Sequence, residues 1–254
     1  MTEIGFGIDI GGSGIKGAPV DLVAGKLATK RVRIPTPQPS TPQAVAETVK
    51  DVVSEFFGSQ CPSSLGITMP CVVHDGVTRS AANIDPAWVN HRARDTFSET
   101  LGTEVVVLND ADAAALAELH YGAAQNHQGL IILTTLGTGI GSAMIYNGVL
   151  IPNAELGHIE IDSRHGEDWA AARVRVEESL SWPDYAQRLQ RYYSTLEFLF
   201  SPDLFIVGGG VSKDADQFLP LLTLETPILP ALLRNQAGII GAAWQGRESL
   251  AARS

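Results

Sequence analysis

Cysteine is nearly absent from this chain: Cys61 and Cys71 are the two in 254 residues, ten positions apart, with no second pair or histidine cluster beside them. That scarcity argues against a disulfide framework and against a Cys-based zinc site, since each needs several thiols at short spacing. Positive charge is also scarce, 18 Lys and Arg against 28 Asp and Glu, and the net charge of -10 opposes broad capture of nucleic acid or anionic lipid. Neither nucleic acid nor membrane is therefore an expected partner. A polyanionic substrate would have to be gripped locally, and two basic clusters qualify, Lys30-Arg31-Val32-Arg33 and His91-Arg92-Ala93-Arg94, which otherwise read as solvated faces. Long apolar runs are missing too: no window approaches a membrane span, and the opening MTEIGFGIDI lacks a basic region and a cleavage site. A cytoplasmic protein is expected, and 44% hydrophobic residues suffice for one large core or two modest ones.

Glycine is what the chain has in quantity, and it is placed twice in one pattern. Gly12-Ser13-Gly14-Ile15 follows the apolar run Ile4-Ile10, and Gly137-Thr138-Gly139-Ile140 follows Leu130-Leu136, 125 residues later. Each reads as a strand, a glycine tip and a returning strand, and the repetition predicts a duplicated two-lobe α/β protein. Glycine reaches φ > 0 and has no Cβ, so the N–H groups of Gly11 to Gly14 and of Gly137 to Gly139 can converge on a phosphate. Asp9 and Lys16 flank the first tip, and their counterparts in the second copy are Thr134 and Gly141. This asymmetry suits a magnesium–phosphate complex, with Asp9 holding Mg²⁺ or its waters and Lys16 a phosphate oxygen.

Between the tips, Arg31-Ile34 reads as a strand, Pro42 as the first residue of a capped helix reaching Phe57, and Ser64-Met69 as a strand. His74-Asp75-Gly76 is a hairpin turn, and Asn83 to Trp88 forms a loop that brings an amide and an aromatic face together. Helices are expected near 94–101, from Asp112 to Tyr121 with Gly122 at its end, over 169–180 and over 183–200; 204–207 is a strand opening into Gly208-Gly209-Gly210, with Lys213 beyond. The lobes divide as 1–111 and 112–236. The small-residue helix 237–254 is suited to complete the first by close packing.

Asn109-Asp110 stands at a strand-to-helix junction, where carboxyl ends of strands in α/β sheets face ligands. Asp110 reads either as the N-cap of the next helix or as a base; a phosphoryl donor requires an acceptor hydroxyl whose proton a carboxylate takes, which favours the base. Asn83 and Asn109 suit vicinal hydroxyls, as do Glu155 and His158, three residues apart. Metal binding by Glu155 and His158 is the weaker alternative, with only two ligand types close together.

The segments DIGGSGIKG, LNDADAAALAE, LGTGIG, AELGH and VGGGVSK occur in the order found in the ROK-type sugar kinases, and the chain resembles them over essentially its whole length. SWPDYAQRLQRYY and the compact length resemble the branch that uses inorganic polyphosphate as well as ATP. The resemblance implies an actin-like (ribonuclease H-like) fold of two lobes around a cleft, Mg²⁺ dependence and transfer to the 6-hydroxyl of glucose, with mannose left open. It further implies Asp110 as general base, Asn83, Asn109, Glu155, His158 and Glu167 as sugar contacts, the two tips as phosphate sites, Gly208 to Gly210 as part of an ATP site, and a homodimer. Many relatives carry a Cys-rich zinc motif after the ELGH segment; residues 159–180 contain no cysteine, so no structural zinc is expected. Some relatives are sugar-responsive repressors with a DNA-binding helix-turn-helix ahead of the kinase-like body. Here the first phosphate strand starts at Ile4, and Asp9, Lys16 and Asp110 also argue against a catalytically silent sugar-binding module.

Overall fold

The computed structural model describes residues 3–82 and 84–251. In chain order its elements are β1 (Ile4–Gly11), β2 (Gly14–Asp21), β3 (Lys26–Leu27), β4 (Val32–Ile34), α1 (Pro42–Phe57), β5 (Leu65–Met69), β6 (Val73–His74), β7 (Val77–Thr78), α2 (Ala93–Leu101), β8 (Val106–Asn109) and α3 (Asp110–Tyr121). These are followed by β9 (Leu130–Leu136), β10 (Ile140–Tyr146), β11 (Val149–Ile151), β12 (Glu160–Ile161), β13 (Arg164–His165), α4 (Glu167–Ala170), α5 (Ala172–Glu177), α6 (Trp182–Phe200), β14 (Leu204–Gly208), β15 (Ile228–Pro230) and α7 (Ala237–Ala251). The chain divides into two compact units, 1–117 with 236–254, and 118–235, so the division falls inside α3.

The first unit is built on a sheet ordered β3-β2-β1-β5-β8, with β4 also paired to β2. β1 and β2 form the antiparallel hairpin, while β1, β5 and β8 run parallel. Thr41 caps α1, accepting the Ala44 N–H, and Val45, Ala46, Val49, Val52 and Val53 recur at the helical period and are buried against the sheet. Phe6 meets Phe56 and Phe57 edge-to-face there, at 5.3 and 5.2 Å between centroids. α7 lies on β1 and β5 at backbone distance: a Cβ on Gly7 would overlap the Ile239 carbonyl, and one on Gly66 the Ala242 carbonyl.

The second unit repeats the plan with a sheet ordered β11-β10-β9-β14-β15, again an antiparallel hairpin followed by parallel neighbours. α6 begins at the Ser181 cap and buries Tyr185, Leu189, Tyr192 and Leu196; Tyr193 packs edge-to-face on Phe205 at 5.2 Å. Thr134, the counterpart of Asp9, is fully buried and shares a 2.7 Å hydrogen bond with Tyr193 Oη. No helix among the described residues is long and apolar enough to cross a membrane.

Three expectations are corrected. Residues 169–180 are two short helices, because Ala171 is extended (ψ 153°) and the Arg173 N–H donates to Gly137 O, which pulls the chain out of one continuous helix. The loop ending at Trp88 does not present an aromatic face: Trp88 is buried, its Nε1–H donates to Ser40 O, and its ring stacks on Phe97. The glycines of the tips are not there for positive φ, since Gly11, Gly14, Gly137 and Gly139 all lie outside the left-handed region. At Gly14 and Gly139 the missing Cβ leaves room for the Arg33 and Glu167 side chains.

Candidate active site

At the first tip, β1 and β2 pair as far as Gly11 opposite Gly14, leaving Gly12-Ser13 as a two-residue turn. Two carbonyls of the tip are occupied: Thr36 Oγ1 donates to Gly11 O at 2.5 Å, and Arg33 donates through Nη2 to Ser13 O at 2.8 Å. Carbonyls are thereby turned toward bound donors, which favours anions at the amide side of the turn. A Cβ on Gly14 would stand 2.6 Å from Arg33 Nε, so a larger residue there would displace the guanidinium from the tip. Asp9 and Lys16 are direct cross-strand partners, with Nζ 2.9 Å from Oδ2, and Thr68 Oγ1 donates to the other oxygen at 3.2 Å. The pair is partly exposed, 26% for Lys16 and 19% for Asp9, so solvent reaches it. Sequence alone separates these two charges, one for a cation and one for a phosphate; the structure joins them.

Asn109 ends β8 and Asp110 opens α3. Asn109 Oδ1 accepts the N–H groups of Ala111 and Asp112 at 2.8 and 3.1 Å, and Nδ2 donates to Cys71 O at 3.1 Å. Asn109 is thus the capping side chain, and among the described residues its second amide hydrogen is unpaired. Asp110, half-buried, lies at the first helical position with Oδ1 2.9 Å from the Ala111 N–H. Met69 pairs with Asn109, and Asp9 with Thr68, so Asp110 and the first tip share the carboxyl edge of one sheet, two strands or roughly 10 Å apart. Asn83 lies outside the described residues.

The second tip differs by one residue of register. Leu136 pairs with Ile140, leaving Gly137-Thr138-Gly139 as a three-residue loop. Glu167 reaches it from α4: Oε2 accepts the Ile140 N–H at 3.1 Å, and a Cβ on Gly139 would overlap that oxygen. The same carboxylate lies 3.7 Å from His158 Nδ1, while Glu155 lies 3.6 Å from His158 Nε2. Partial burial pushes the Glu155 carboxyl above its ordinary range, against the opposing pull of His158. Gly157 packs on the Ile140 carbonyl with no room for a Cβ, and His165 Nδ1 is 2.8 Å from His158 O, so the sugar candidates and the tip form one cluster. Gly209, at φ 80°, is the glycine that needs the left-handed region, and it also meets the Leu136 backbone too closely for a Cβ. Gly208 and Gly210 flank it, and Lys213 is exposed on the turn that follows. Among the described residues no group of three or more His, Cys, Asp or Glu is arranged to hold a metal ion.

Residues that sequence reasoning passed over are Thr36, Thr68 and His165, together with the specific position of Arg33. For Arg33 a signal existed: in RVRI the arginines alternate on one face of a strand, toward Lys16.

Two sheets of the same strand order, each carrying a hairpin tip, define the actin-like two-domain fold of sugar kinases. The chain belongs to the ROK family, whose sequence pattern matches residues 5–173. It is 52% identical over 240 residues to the polyphosphate glucokinase of Mycobacterium tuberculosis, covering 94% of this chain and 89% of that one. It is also similar to the inorganic polyphosphate/ATP-glucomannokinase of Arthrobacter sp. strain KM, at 53% identity and TM-score 0.92, over 97% of this chain and 99% of that one. The ROK family glucokinase of Streptomyces griseus, solved with glucose and AMPPNP, matches at 26% identity and TM-score 0.82, over 97% and 100%.

Proposed function

We propose that this protein transfers the terminal phosphoryl group of inorganic polyphosphate or ATP to the 6-hydroxyl of glucose, with mannose as a second acceptor. The observation that carries the reading is Asp110, set at the end of β8 by the Asn109 cap, on the same sheet edge as a glycine tip bearing Lys16. The polyphosphate, ATP and sugar specificities follow the named activities of the relatives above.

In this reading Asp110 accepts the proton of the attacking hydroxyl as the new P–O bond forms and the bridging P–O bond breaks. The shortened polyphosphate or ADP leaves with the electron pair. Glu155, His158 and Glu167 bind sugar hydroxyls, with the remaining Asn109 hydrogen and Asn83; the N–H groups of the tips and Lys16 hold phosphate oxygens, and Gly208 to Gly210 with Lys213 serve ATP. Mg²⁺, when bound, neutralises charge on the donor phosphates. A single carboxylate with both oxygens already hydrogen-bonded, Asp9, fits a cation held mainly by phosphates and waters rather than by a protein cage. Two free thiols suit the reducing cytoplasm, and exposed Phe198 and Leu199 on α6 offer apolar surface for a homodimer.

Initial rates with glucose or mannose against polyphosphate or ATP, each with and without Mg²⁺, test the proposal. Glucose 6-phosphate formed with polyphosphate supports it; a protein that binds glucose and turns over neither donor overturns it.

A further inference from the structure

Lys30, Arg31, Arg33, Arg92 and Arg94 are equivalent in sequence as basic residues, but not in structure. Arg92 pairs with the Asp95 carboxylate one turn along α2, and Arg94 packs its side chain against Gly76. Arg33 has no carboxylate partner among the described residues; it is exposed, lies directly opposite Lys16 across β2 and β4, and folds its guanidinium back onto the tip at Ser13 O. Facing cross-strand residues project to the same side of a sheet. Asp9, Lys16 and Arg33 therefore form one row across β1, β2 and β4, in which Asp9 engages Lys16 and leaves Arg33 without a counter-charge. A guanidinium has five N–H donors, and the Ser13 carbonyl uses one direction of that fork.

Direction adds a second argument. Across this sheet the order is β8, β5, β1, β2, β4, with Asp110 at the end of β8 and Arg33 on β4. In-line displacement puts the attacking and leaving oxygens on opposite sides of the transferred phosphorus. With the hydroxyl near Asp110 and the transferred group at the tip, the leaving side faces β4. A nucleotide carries its anionic charge over a short span and then ends in a sugar and base, whereas a longer inorganic chain stays charged beyond it.

We propose that Arg33 is a donor-specificity residue, whose guanidinium binds a phosphate of inorganic polyphosphate beyond the group being transferred. The inference rests on the proposed polyphosphate-dependent activity. Its test is a comparison of Arg33→Ala and Arg33→Lys with the unaltered protein, measuring KM for long-chain polyphosphate and for ATP, at low and high salt. Losing a charge-assisted phosphate contact should raise the polyphosphate KM about tenfold more than the ATP KM. It should also flatten the salt dependence of the polyphosphate KM, with Arg33→Lys intermediate because it keeps the charge and loses the fork. Equal rises for both donors would mean that Arg33 only buttresses Ser13, and no rise would mean that it touches no donor; either result overturns the proposal. If the unaltered protein uses ATP and not polyphosphate, the donor reading itself has failed, which the wild-type rates alone reveal.

Discussion

Lys16 Nζ lies 2.9 Å from Asp9 Oδ2, the two residues facing each other across the hairpin that carries the first glycine tip. The ammonium is thus positioned by a carboxylate on the neighbouring strand while still reaching solvent, so a donor phosphate can share it without a large rearrangement. Lys16→Met removes the cation and keeps most of the stem. It should raise KM for ATP and for polyphosphate together, by about tenfold or more, if this charge serves the phosphates common to both donors as proposed. A rise confined to one donor would place Lys16 away from the transferred group.

Because Asn109 supplies the helix cap, the Asp110 carboxylate can be altered without removing the side chain that closes the start of α3. Asp110→Asn should therefore leave folding intact and the glucose KM within several-fold, while lowering kcat by ~10²-fold or more, the scale of lost general-base catalysis. Steady-state rates with saturating donor check this, and unchanged kcat would remove Asp110 from the chemistry.

Gly7 meets α7 where no side chain can yield, since a Cβ would overlap the Ile239 carbonyl oxygen. Gly7→Ala should cost about 1–3 kcal/mol or more, the range of overpacking, read as a lower urea midpoint. Activity should fall as well, because moving α7 also moves Gly238, whose ideal Cβ position is 3.3 Å from the Asp9 carboxylate.

Glu155 gives a pH signature. Burial raises its folded-state pKa above that of the unfolded chain, so between those two values the folded protein binds the proton more tightly. Stability is then fully present below the ordinary glutamate range and declines as pH rises through the folded value. Glu155→Gln has no such proton, and its urea midpoint relative to wild type should increase as pH rises from the ordinary glutamate range upward. With the side chain 39% exposed, screening keeps the effect under about 1 kcal/mol. A difference of the opposite sign would contradict the burial argument.

The duplication was legible because strand-tip-strand spacing is a chain-local property, and it led to two sheets of one strand order. The capped helix starting at Pro42 and reaching Phe57 was legible for the same reason. Register was not. Both tips read Gly-hydroxyl-Gly, yet one closes at Gly11 and Gly14 and the other at Leu136 and Ile140, since the second has its amide claimed by Glu167 and a carbonyl claimed by Arg173 from 27 to 36 residues downstream. The break at Ala171 has the same distant origin. The burial of Trp88 was not legible either, because sequence shows an aromatic beside turn residues and only folding shows its N–H spent on Ser40. The candidate residues themselves gathered into two sets, Asp9, Lys16, Asn109 and Asp110 in the first unit and Glu155, His158 and Glu167 in the second.

Glu167 joins the second tip and His158 through one carboxylate. Oε2 accepts the Ile140 N–H beside the second tip, and Oε1 stands near His158 Nδ1, so the residue can shape phosphate and sugar binding at once. The two jobs differ in what they require. Accepting the N–H needs an oxygen, which glutamine also provides, whereas the negative charge strengthens acceptance from the imidazole and from a sugar hydroxyl. Glu167→Gln should therefore raise the glucose KM by several-fold to about tenfold with little change in the ATP KM, and Glu167→Ala should raise both, because the Ile140 amide then loses its partner. Parallel measurement of both constants in the two variants separates the roles. If Glu167→Ala shifts the glucose KM alone, the tip holds its shape without this carboxylate, and the link between the two groups is only proximity.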